Sequence, residues 1–276
     1  MKTTDIFKDL AEFRQYAPGI GADTELAQLE PHIRMVTMDI FKLITHEVYI
    51  ALREGASEEG LDLLKTAVAA GTLYRYQIFL TVTKAGTEAA LYKYQHEELK
   101  RNHLDIYWSA LDALLEWLDV NPGTGKFEES AIYKDRQDLP VSSASEFDKY
   151  FQIDRSAYFF SRVQYILKSI WGKLKKNVDQ DNSQMMELAK SALCYRTMAK
   201  VVMTFDVTEW PKCIRYDFNH EFTSGADIQD RKILANQFNS EAEDIEAMID
   251  QLLRAQNRAG LQQNHNKESE KHFTML

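Results

Sequence analysis

Three groups of residues have types and spacings that invite a chemical reading. The stretch Asn121–Phe127, NPGTGKF, pairs two glycines with a lysine, as a loop that cradles phosphate oxygens would. Such a loop needs a glycine five residues ahead of its second glycine, Ser or Thr after the lysine, and a strand before it. Here Val120 holds the first position, Phe127 follows Lys126, and helical sequence precedes, so the stretch reads as a connecting loop. His-Glu pairs occur at His46-Glu47, His96-Glu97 and His220-Glu221. A zinc-binding H-E-x-x-H helix would place a second histidine at Ile50, Lys100 or Ser224, and none is there. His96 and His103 are two turns apart, too far to share one metal without a ligand between them, and read as solvated helix residues.

The carboxylates Asp112 and Glu116 lie one helical turn apart, and ordinary charge on a wet face explains them better than acid–base work. No G-x-S-x-G places a serine nucleophile. Cys194 and Cys213 fit neither a disulfide framework nor a zinc site and read as free thiols. No catalytic, metal or cofactor residue is therefore assigned, and the chain is not expected to be an enzyme.

Composition bounds the elements. With 45% hydrophobic and 27% charged residues, the chain has the make-up of a globular protein, and only 5 Pro and 11 Gly favour long helices. A net charge of −9 is a poor basis for gripping a phosphate backbone, though a surface past which DNA slides without sticking remains compatible with it. No stretch approaches the ~20 uninterrupted apolar residues of a membrane span, and MKTTDIFKDL lacks the apolar core of a signal peptide.

Periodicity predicts a mainly α fold. A short helix over residues 8–16 is followed by an amphipathic helix over 25–52, carrying Ile33, Val36, Ile40, Leu43 and Val48. A helix over 58–80 is apolar around most of its circumference and should be buried. A break near Gly86 leads into a long helix over 87–119. After residues 122–143, bracketed by Pro122 and Pro140, the order starts again. Helices are expected over 155–176, 183–205 and 227–256, with a break at DVTEWPKCIRYDFNHEF that has room for a short strand or hairpin. AEFRQY and SEFDKY open the two halves, so that Glu146, Phe147 and Tyr150 repeat Glu12, Phe13 and Tyr16. Lys65, Thr66, Ala67 and Thr72 meet Lys190, Ser191, Ala192 and Thr197 in the same order. Two tandem homologous helical domains are expected, 1–121 and 144–257, joined by a linker at 122–143. Residues 258–276 form a polar tail, read either as disordered or as ordering on a partner through Phe273, Met275 and Leu276.

The runs DLAEFRQYAP, LAQLEPHI and LKTAVAAGTLYRYQIFL, and the stretch from Lys84 to Tyr133, resemble an uncharacterised family of Bacteroidetes phages and prophages. Each half is also similar to the all-helical head–tail adaptor, or connector, of tailed phages, from which this chain departs by carrying two copies. The resemblance implies a virion structural role. It implies a homo-oligomeric ring below the portal protein, contacting tail-side neck proteins and lining a channel for double-stranded DNA without sequence-specific binding. Its location would be the virion, and the host cytoplasm during assembly, with no membrane. The alternative is a soluble helical interaction protein of a phage or mobile element that is not part of the particle.

Overall fold

The structure is a computed structural model that describes residues 6–17, 20, 24–84, 93–215 and 228–272. The fold is mainly α, and the described residues contain no strand. In chain order the helices are α1 (Leu10–Tyr16), α2 (Leu26–Arg53), α3 (Glu58–Lys84), α4 (Lys93–Val120), α5 (Ala131–Gln137), α6 (Ala144–Phe147), α7 (Ala157–Leu174), α8 (Ser183–Thr204) and α9 (Ile228–His272). Short 3-10 turns occupy Thr124–Glu129, Lys175–Asn177 and Val207–Glu209. The break after α8, expected to have room for a strand, begins as one of these 3-10 turns, capped by Asp206; residues 216–227 lie outside the described residues. No helix among the described residues is long and apolar enough to cross a membrane.

The chain divides into two compact units, one made of 1–134 with 156–161 and the other of 135–155 with 162–276. In the first, α2 and α4 pack on the two sides of α3, whose Leu64, Ala67, Val68 and Ala69 are fully buried. This is the outcome expected of a helix apolar on most of its faces. The stretch expected as a linker departs from that reading. Thr124–Glu129 folds back on α2 and buries Phe127 in the core, with Ile132 and Tyr133 packed against it. Burying these apolar side chains outweighs the turn-forming Pro and Gly that suggested a free connection.

In the second unit α8 is the buried helix, and α9 lies antiparallel along it. Ala235, Ala242 and Ile249 on α9 are buried seven residues apart, a spacing that keeps one seam on the neighbour. Arg231 donates to the carbonyls of Val202 and Phe205 at one end of α8, and Gln256 reaches Asp179 at the other. The helix does not stop there, as expected, but continues to His272. Residues 257–272 thus carry it about 24 Å further, at 1.5 Å per residue. Phe273, Met275 and Leu276 lie outside the described residues.

Each unit opens with the same clasp. Asp9 caps α1 by accepting from the Glu12 N–H (2.8 Å), while the Glu12 carboxylate accepts from the Lys8 N–H (2.6 Å) and from Lys65 Nζ (2.6 Å). Ser143 caps α6 through the Glu146 N–H (3.1 Å), and the Glu146 carboxylate accepts from the Ser142 N–H (2.9 Å) and Lys190 Nζ (2.9 Å). Four residues after each of these glutamates, Tyr16 at the end of α1 donates to Asp62 at 2.7 Å and Tyr150 in the turn after α6 donates to Glu187 at 2.6 Å. Phe13 and Phe147 are both fully buried. A reciprocal cap fixes the short helix, and the Lys and acidic residue three positions apart on the buried helix of the same unit, α3 or α8, receive it.

Candidate functional site

The residues singled out for chemistry are not brought together. Gly125 presses the NPGTGKF loop onto α2, so that a Cβ there would sit 2.4 Å from Val48 Cα, and the exposed Lys126 lies 3.9 Å from Glu129. A loop packed on helix backbone has no concavity for a phosphate. Asp112 accepts from Ser156 Oγ (2.9 Å) and from the Tyr158 N–H (2.7 Å), so it caps the first turn of α7, while Glu116 points to solvent. His46 is exposed and stacks edge-on against Phe41. His103 is half-buried on α4, and desolvation holds its imidazole below the usual histidine range. His220 lies outside the described residues, as does the side chain of His96. Cys194 is buried and its thiol is pushed up by desolvation; Cys213 donates to the Gln152 carbonyl at 3.3 Å. Among the described residues no group of three or more His, Cys, Asp or Glu could hold a metal ion.

The site that does emerge is a groove in the second unit, about 870 Å³, between α7, α8 and α9. It coincides with a difference between the two units at one pair of positions. Thr72 on α3 and Thr197 on α8 are both fully buried, and each hydroxyl donates to the carbonyl four residues back, Val68 and Leu193. The residue before Thr72 is Gly71, and the residue before Thr197 is Arg196. At Gly71 three helices converge: a Cβ there would lie 2.8 Å from Val36 Cγ1 on α2 and 2.7 Å from Tyr107 Cε2 on α4. Only a residue without a side chain permits that approach. At Arg196 a large side chain fills the corresponding position. It reaches across to α9, giving Glu246 two bonds (3.0 and 2.9 Å) and Asn239 one (2.9 Å). The ion pairing with Glu246 pushes the guanidinium further up, so it stays charged. α7 and α8 stand farther apart than α2 and α3, and the gap is the groove.

The groove wall is apolar with a cationic rim. Ile166, Ile170, Leu174 and Met203 line it, and Tyr165 and Met203 are 64% and 40% exposed. Lys173 and Lys200 stand at its edge, while its one carboxylate, Glu246, is neutralised by Arg196. Such a wall suits the side chains of a protein segment: apolar atoms to remove from water, and ammonium groups to meet carboxylates.

Residues 160–270 match the model of a family of unknown function, DUF6712. The match covers less than half of the chain, and it takes in every residue that lines the groove. No curated protein and no solved structure matches. Sequence reasoning pointed to the last residues of the chain for partner contact and missed the groove. Its signal was present in the paired alignment of α3 with α8, where a glycine in one half faces an arginine in the other.

Proposed function

We propose that this chain is a structural protein of a phage particle, a head–tail connector that joins a ring below the portal and borders the DNA channel. The observation that carries this reading is the open, apolar and cation-rimmed groove of the second unit, a surface suited to a protein segment. The matching clasps at Glu12 and Glu146 support a tandem duplication of one helical module, as the likeness to phage adaptors implies. The continuation of α9 past α8 supports a docking role for the C-terminal segment on the portal or a tail-side neck protein. Net negative charge suits a wall along which double-stranded DNA slides without sticking.

Mass spectrometry of gradient-purified particles tests the assignment. The chain is expected in them at a fixed ratio to the portal protein. Its absence from particles, with the protein recovered only from the lysate, would instead support an interaction protein that is not part of the particle.

A further inference from the structure

We propose that the groove of the second unit receives the outer stripe of α9 from a second copy of the chain, in a head-to-tail contact. This inference rests on the reading of the chain as a self-assembling structural component, and it names the surfaces that would do the assembling.

The two surfaces lie on opposite flanks of one helix. At 3.6 residues per turn, Ile233, Glu241, Asp244 and Met248 form one stripe on α9, about half a turn around from Glu246, which faces the groove. The stripe is exposed: Ile233 and Met248 are 49% and 50% accessible, and Glu241 and Asp244 are open to solvent. It also misses α8, which takes the seam of Ala235, Ala242 and Ile249. A unit therefore cannot lay its own stripe in its own groove, but a second copy can.

The charges match, and the stripe is long enough to span the groove. The groove edge carries Lys173 and Lys200, and the stripe carries Glu241 and Asp244. The apolar ends of the stripe, Ile233 and Met248, are about 22 Å apart along the helix, and the groove runs about 18 Å from Tyr165 on α7 to Asn177 in the 3-10 turn that follows it. One large apolar end of the stripe can seat on Tyr165, Ile170 and Met203 while the carboxylates meet the ammonium groups. Copies that each carry a charge of −9 repel one another at long range, so close approach needs a local patch of opposite sign. Because the two surfaces differ, the contact is heterologous and propagates beyond a dimer.

Analytical ultracentrifugation of the full chain over a range of protein and salt concentrations tests the contact. The wild type should form species larger than a dimer that weaken as salt screens the pairs. Lys173→Glu with Lys200→Glu should weaken association by roughly tenfold or more, as should Glu241→Lys with Asp244→Lys, because each places like charges opposite one another. All four changes in one chain restore opposite signs and should restore association. Circular dichroism melts establish that each variant is folded. A wild type that stays monomeric, paired variants that associate like the wild type, or a four-fold swap that remains weak would overturn the inference. If the chain still enters particles in any of those cases, the virion reading stands without this contact. Association through the groove by a chain absent from particles would leave the contact standing and defeat the virion reading.

Discussion

Lys190 Nζ lies 2.9 Å from Glu146 Oε1 and, with the Ser142 N–H, fixes the opening helix of the second unit to its buried helix. Lys65 and Glu12 do the same in the first unit at 2.6 Å. Both halves of the chain share this arrangement.

The clasps set an acid limit on stability. The bond from Lys65, then that from the Lys8 N–H, holds the Glu12 carboxyl below its ordinary range. Burial pushes the Glu146 carboxyl up, but the bonds from Ser142 and Lys190 outweigh it and hold this group low as well. A carboxyl whose folded pKa is depressed contributes stability above its unfolded pKa and loses it as pH falls through the folded value. Glu12→Gln with Glu146→Gln should therefore cost roughly 1–3 kcal/mol at neutral pH. It should also flatten the loss of stability below about pH 4. Urea unfolding at neutral and acid pH checks both, and equal losses for wild type and variant at acid pH would contradict this role.

Gly71→Ala should destabilise the protein by roughly 1–3 kcal/mol, because the added methyl meets the buried Val36 and the Tyr107 ring. Arg196→Ala should loosen the attachment of α9 to α8, since Glu246 and Asn239 lose their shared partner. Hydrogen exchange separates the two. The first change should speed exchange in α2–α4, and the second in α9.

Gly125→Ala tests the folded-back segment. Gly125 has φ +52°, and a Cβ there would lie 2.4 Å from Val48 Cα, which is backbone and cannot turn aside. Strain and collision together should cost about 2–4 kcal/mol, seen as a lower denaturation midpoint. A change within about 0.5 kcal/mol would mean that Thr124–Glu129 does not pack on α2.

Ending the chain after Asn257 should leave stability within about 0.5 kcal/mol of the full protein, because among the described residues the side-chain ties of α9 to the rest of the second unit run from Arg231 to Gln256. Helical ellipticity should fall with the loss of residues 258–272, and docking on the portal should weaken. Loss of cooperative folding on this truncation would show that the extension is part of the second unit's core.

Much of this architecture was legible because helical period carries it. Ile33, Val36, Ile40, Leu43 and Val48 recur at helical steps and are all buried, and the apolar circumference of α3 marked it as central. The echo of AEFRQY in SEFDKY pointed to residues that the fold uses alike, Glu12 with Glu146 and Tyr16 with Tyr150. Three features were not legible. Pro122, Gly123 and Gly125 signal a turn, but whether Phe127 then packs depends on a distant surface at Val48. The polar residues after Gln256 lack an apolar stripe, yet they continue a helix already nucleated by its packed half. The groove depends on how far apart two helices stand, and that distance follows from the tertiary partners of Gly71 and Arg196 rather than from either helix's own pattern.

Electron microscopy of the purified chain mixed with the portal protein of the same particle tests the connector assignment most directly. Closed rings of the chain seated on one face of the portal are the expected result. A field of free chains beside bare portals, across protein and salt concentrations, would contradict it.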